Sequence, residues 1–193
     1  NIVVGPTRKG NLLIFDRVES ANDISLGRGN TMNSAKDALF PQTERLFAYR
    51  HGEAGVEIDG PSAVKKGSIL FGVRPCDARG LILLDKVFGE PLQDNYYGEK
   101  RARTVIISMA CETPDPKCFC LAMGGGPCSA EGSDLLFLDL GDQYLVKAGS
   151  PKGMDLLKNT VFKKANREVH ARAAVIEKEA EESMNQTGMR HVG

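Results

Sequence analysis

The sequence predicts a mixed α/β domain, built on a mixed sheet with a central βαβ unit, flanking hairpins and a C-terminal helix. Three observations carry this. Ser68 to Val73 and Thr104 to Met109 are short, clean apolar runs of strand length, with a helical pattern between them. Two further strand pairs stand at either end of this unit, each with its own turn residues. Four of the five cysteines fall in a single proline- and glycine-bounded stretch just after the second run.

In chain order, Ile2 to Val4 and Leu12 to Val18 read as two strands joined by the turn GPTRKGN. Asn22 to Lys36 has little periodicity and is expected to be a loop. Pro41 fits the first position of a short helix, QTERLFAYR. GEAGVEIDGPSAVKKG is turn-rich, an expected hairpin or irregular edge. After the strand Ser68–Val73, Asp77 is placed to cap a helix, ARGLILLDKVFG, that stops at Gly89. EPLQDNYYGEKRAR is expected to be a loop. Asp134 to Leu140 and Gln143 to Ala148 form a hairpin across Gly141-Asp142, and Ser150 caps PKGMDLLKNTVF with Pro151 in its first turn. From Lys163 to Met184 the chain is charged and helical and loses its apolar stripe. The expected organisation is a cysteine-bearing domain over 1–160 and a charged helical linker over 161–193.

Composition narrows the functions. The 193 residues balance 25 basic against 25 acidic side chains, so the basic surplus of a nucleic-acid or anionic-membrane binder is missing. No apolar run approaches a membrane span. The chain opens on Asn1 and a strand-like IVVG rather than on Met, so its numbered start is expected to lie inside a longer gene product. An odd cysteine count without a secretory signal fits a reducing cytoplasm and cysteines used as ligands.

Cys111, Cys118, Cys120 and Cys128 lie in SMACETPDPKCFCLAMGGGPCS, and Cys76 lies in GVRPCDARG. If the two apolar runs are parallel, they end at one edge of the sheet. Cys76 then comes near Cys111, where ligands of parallel sheets commonly bind. Soft thiolates select zinc, copper(I) or iron–sulfur clusters. One residue between Cys118 and Cys120 is tight for a zinc knuckle, and His51, His170 and His191 are far from every cysteine in sequence. Iron–sulfur centres take four cysteines at variable spacing, often beside proline, and Pro75 and Pro127 each precede a cysteine. The most economical set is Cys76, Cys111, Cys118 and Cys120, with Cys128 a spare that can replace any of them. A structural zinc module and a Cys118–Cys120 dithiol/disulfide couple remain open.

Other residues have two readings each. Arg74 either offsets thiolate charge or makes a surface ion pair. Gly124 to Gly126 either present amides to an anion or form a plain tight turn, and the turn is preferred. Tyr96, Tyr97 and Phe119 either shield the cysteines or fill a core. Asp134, Asp139 and Asp142 read as strand-end and turn residues rather than an acid–base pair.

PQTERLF, FGVRPCDARGL, QDNYYGEKR and CETPDPKCFCLAMGGGPCSAEGSDLLFLDLGDQYLV resemble the iron–sulfur electron-transfer subunits of sulfhydrogenases, their β chains, and of anaerobic sulfite reductases. The resemblance runs from about Val4 to Gly153, and RPCD and CFC together make it specific. It implies an N-terminal domain whose ligands are Cys76, Cys111, Cys118 and Cys120, holding a 4Fe–4S cluster. It also implies a ferredoxin-like dicluster domain beyond it. The role it implies is electron relay that links a catalytic redox subunit with a flavin or iron–sulfur partner subunit, in anaerobic metabolism and without substrate chemistry of its own. Cys128 falls where the family has no ligand. The ferredoxin-like cysteines lie outside the 193 residues.

Overall fold

The computed structural model describes residues 1–26, 30–52, 55–60, 66–89 and 91–185. A six-stranded sheet runs in the order β2-β1-β5-β6-β7-β8, with β1 (Ile2–Lys9), β2 (Leu12–Val18), β5 (Ser68–Val73), β6 (Thr104–Met109), β7 (Leu135–Asp139) and β8 (Tyr144–Ala148). β1, β5, β6 and β7 are parallel neighbours, and the edge strands β2 and β8 pair antiparallel. The expected mixed sheet and its central βαβ unit are present. A separate hairpin joins β3 (Ala48–Gly52) to β4 (Gly55–Asp59).

The helix α1 (Pro75–Val87) starts earlier than expected. Arg74 is its N-cap without a side-chain bond, Pro75 holds the first turn, and Asp77 sits inside that turn rather than capping it. The carboxylate of Asp77 instead accepts from Ser34 and pairs with Lys36, each at 3.4 Å.

The stretch around Asn95 departs from the expected loop. It forms α2 (Asn95–Ala102), nucleated by Asp94, whose carboxylate accepts from the amides of Tyr96 and Tyr97. An Asp cap of this kind supplies the orphan amides of a first turn. The helix expected after Pro41 is absent. Phe40, the residue before that proline, offers no capping oxygen. The segment that follows is tied to α2, through Tyr96 Oη to Leu46 O at 3.0 Å and Lys100 to Glu44 at 2.7 Å, and then enters β3.

The described residues between Asn22 and Lys36 are loop, with two single turns of 3-10 helix, Ala21–Asp23 and Ala35–Ala38, at the ends, and residues 27–29 lie outside the described residues. The helix α3 covers only Pro151–Leu156, with Ser150 at its N-cap. The final helix, α4 (Arg167–Asn185), is not uniformly solvated: Ala173, Ala180 and Met184 are buried. The expected tail beyond it, including His191, lies outside the described residues, as does part of GPSAVKKG.

Two cores follow from this layout. One gathers Leu70, Val73 and Ile106 of the sheet with Ala78 and Leu81 of α1, Tyr97 of α2 and Leu39. The other joins Leu136, Leu138 and Leu145 of β7 and β8 to Ala173 of α4. Asp134 ties the starts of the strands together. Its carboxylate accepts from the Ile106 amide at 2.9 Å and from Ser150 Oγ at 2.5 Å. Asp134 is therefore a strand-end anchor, as its sequence position suggested.

Candidate metal centre

β5, β6 and β7 are parallel, so their carboxyl ends share one edge of the sheet. Arg74, Pro75 and Cys76 leave β5 there, and Ala110 and Cys111 leave β6 there. Gly72 makes the exit from β5 possible. It stands at a register shift between Phe71 and Val73 with φ at 74°. Only glycine adopts that backbone freely, and an added Cβ would meet Pro6 Cδ at 2.9 Å.

Beyond Cys111 the chain makes a loop of turns that returns on itself. The Cys111 amide donates to Pro127 O at 2.8 Å, and the Ala110 amide donates to Phe137 O at 2.8 Å. Within the loop, the Gly125 amide donates to Cys120 O at 2.8 Å and the Gly124 amide to Leu121 O at 3.0 Å. The triple glycine is thus a turn, with these two amides already used.

A cavity of about 980 Å³ opens at this edge, and Cys76, Cys111, Cys118 and Cys120 all line it. All five cysteines are free thiols. Cys128 takes no part in the cavity lining and packs against the second core. Among the described residues, no group of three or more His, Cys, Asp or Glu side chains closes to metal-holding distance. His51 and His170 do not line the cavity.

The electrostatics of the four thiols are linked. Burial pushes the Cys76 thiol up to about 11, helped by the Asp77 carboxylate and then by Cys120 and Cys111. Cys111 is raised by burial, against the guanidinium of Arg74, while Cys118 adds to the rise. Cys120 is raised by burial and then by Cys118 and Cys111. Thiols that repel one another's charged forms in a partly desolvated pocket call for positive charge beyond that of Arg74. A cationic iron–sulfur or zinc centre supplies that charge and deprotonates its ligands. The donor set therefore fits a soft-metal centre in composition and in electrostatics. Cys128 is raised to about 12, first by burial and then by Glu177.

The Arg74 guanidinium stands close enough to Cys111 to oppose the rise of its thiol, as the first of its two readings requires. Phe119 borders the cavity while 56% exposed. Tyr97 is instead a core residue bonded to Asp85 at 2.6 Å, and Tyr96 bonds Leu46; neither reaches the cavity.

Two contributors escaped the sequence reading. Arg79 on α1 reaches the cysteine loop, with Nε 3.0 Å from Glu131 and a second bond to Met123 O. It lies three residues after Cys76, one helical turn on, and that spacing was a usable signal. Met184 lines the cavity from α4, and no motif marks it.

Fold and site together define an α/β domain with a thiol-lined cavity at the carboxyl edge of its parallel strands. Sulfhydrogenase 2 subunit beta of Pyrococcus furiosus is 32% identical to it over 155 residues, which is 80% of this chain and 44% of that relative. This likeness supports the sulfhydrogenase β-subunit family for the chain. It spans less than half the length of that relative. No family model matches the chain, and no solved structure matches it. No described helix is long and apolar enough to cross a membrane.

Proposed function

We propose that this chain is the N-terminal, cluster-bearing part of an electron-transfer subunit. Cys76, Cys111, Cys118 and Cys120 are its ligands, and the centre they hold is a 4Fe–4S cluster. Such a cluster, when bound, stores and passes one electron at a time. The chain's residues then have separate tasks. The two strand ends and the loop present the thiolates, Arg74 offsets charge at Cys111, and Arg79 ties the loop to α1. The unit covers 1–160, and 161–193 leads toward a ferredoxin-like domain.

The complex it serves is a cytoplasmic anaerobic oxidoreductase of hydrogenase or sulfite reductase type. Its relay links a catalytic redox subunit with a flavin or iron–sulfur partner subunit, and this chain makes no substrate bond. What supports the reading is one placement: four thiols from separate parts of the sequence line a single cavity, and the fifth does not.

The test is iron, zinc and acid-labile sulfide analysis of protein purified without oxygen, with EPR after dithionite reduction. Expected are iron and sulfide in near-equal amounts and a signal on reduction. Each of C76A, C111A, C118A and C120A loses the signal, and C128A keeps it. Stoichiometric zinc without sulfide would mean a structural zinc module. A metal-free protein with a reversible Cys118–Cys120 disulfide would mean a thiol redox protein.

A further inference from the structure

The helix α4 is strongly charged, yet one line of it is buried. Ala173 is 2%, Ala180 1% and Met184 4% exposed. Positions seven and then four residues apart fall on one helical face. The two alanines let the helix approach closely, and Ala173 joins the second core. Met184 breaks that pattern of small residues. It is long and apolar, and it comes in the last described turn, where the helix reaches the cysteine cavity. Its Sδ lies 3.4 Å from the Sγ of Cys120.

The helix is held by contacts to residues outside the cavity lining. Glu177 pairs with Lys147 of β8. Arg172 donates to Leu140 O at 2.7 Å and to Asp142 at 2.6 Å. Of the large apolar side chains beside Cys120 in the chain, Phe119 is 56% and Met123 62% exposed and Leu121 is half-buried, whereas Met184 is buried. The Cys120 side is thus covered by a residue from a distant part of the chain.

We propose that Met184 is a positioning residue that keeps water off the Cys120 side of the centre and so holds its reduction potential low. The inference rests on the cluster reading given under Proposed function. Reduction adds a negative charge to a centre already ligated by thiolates. Water near a ligand sulfur stabilises that extra charge, so solvent exposure and hydrogen bonds to sulfur raise the potential. A thioether fills the space with a soft, polarisable group that donates no hydrogen bond.

The experiment compares wild type, M184A and M184L, each the full chain purified without oxygen. Potentials are read by EPR during titration with dithionite as electron donor. In parallel, Cys120 of the metal-free, reduced proteins is alkylated with iodoacetamide and followed by peptide mass spectrometry. M184A is expected to change the oxidised-to-reduced ratio at a fixed potential by about tenfold toward the reduced form. That is about 59 mV for a one-electron couple. M184L restores an apolar cover and stays within about twofold of wild type. Cys120 labelling rises several-fold in M184A and not in M184L.

A wild-type protein lacking iron and sulfide would overturn the cluster reading and this inference with it. Wild type with a cluster, and M184A at the same potential, would overturn this inference alone. A shift in M184L as large as in M184A would overturn it too, since water exclusion would not be the cause. If M184A fails to retain the centre, labelling decides, and equal Cys120 labelling in wild type and M184A would overturn it.

Discussion

Arg79 Nε lies 3.0 Å from Glu131 Oε2, and the same guanidinium bonds Met123 O. One side chain thus joins α1, which carries Cys76 in its first turn, to two points of the segment after Cys120. The pair is half-exposed, so its own contribution to stability is small, on the order of 1 kcal/mol. Its effect on the loop is larger, because few other bonds hold Leu121 to Glu131 against the helix. R79A should lower the urea unfolding free energy by about 1 kcal/mol. It should also speed loss of metal to a chelator several-fold, whereas R79K, which keeps charge but not the fork, recovers only part. Equal chelation rates in R79A and wild type would show that the loop is held by its own turns.

Gly72 leads to a different kind of prediction. Its φ of 74° disfavours any other residue, and an added Cβ would press on Pro6 Cδ at 2.9 Å. G72A should destabilise the fold by about 2–3 kcal/mol, from backbone strain plus the clash. The strand exit carrying Arg74 and Cys76 should shift with it. The test is a urea midpoint together with metal content. A G72A protein as stable as wild type would mean that β5 leaves the sheet without needing this bulge.

The parallel unit and the cysteine-bearing loop were legible because both are local signals. Each strand is a continuous apolar run, and Pro and Gly mark where the cysteine loop starts and ends. The helix at Asn95 was hidden because its only start signal, Asp94, stands in front of two tyrosines and five charged or small residues with no apolar stripe. Tertiary packing of Tyr97 against α1 supplies what the pattern lacks. The false helix after Pro41 shows the converse: a favourable first position without a cap, overridden by side-chain ties to α2. Met184 could not be found at all, since its role depends on where a helix ends in space and on nothing in the residues beside it.

Asp134 is buried, and both of its carboxylate oxygens are engaged, one by the Ile106 amide and one by Ser150 Oγ. D134A would leave a buried amide and hydroxyl without acceptors, at a cost of about 3 kcal/mol. D134N keeps one acceptor oxygen and should lose about half as much. S150A removes one donor and a helix cap together, for about 1–2 kcal/mol. Combining D134A with S150A should cost less than the sum, because they share a bond. Thermal unfolding of the four proteins checks the ordering, and strict additivity would mean that the two side chains act independently.

Cys128 contributes to the alkaline behaviour of the metal-free protein. Its thiol is pushed up to about 12, by burial first and by Glu177 next, with Lys147 opposing. The unfolded chain's thiol ionises near its ordinary value, about 8.5. Between these two values the folded state keeps a proton that the unfolded state has lost. Stability from this group is therefore whole below about 8.5 and falls as pH rises toward about 12. Cys76, raised to about 11, and Cys111 and Cys120, also raised by burial, act in the same direction, so wild type should lose stability on all of these accounts. C128A removes one of them. Its urea midpoint should fall less steeply than wild type's between about pH 8.5 and pH 10.5, a window opened by the ordinary thiol value. At pH 7 the two curves should differ only by a constant offset from the lost packing. Parallel curves across the whole range would mean that the Cys128 thiolate finds a counter-charge, with Lys147 outweighing Glu177 beside it.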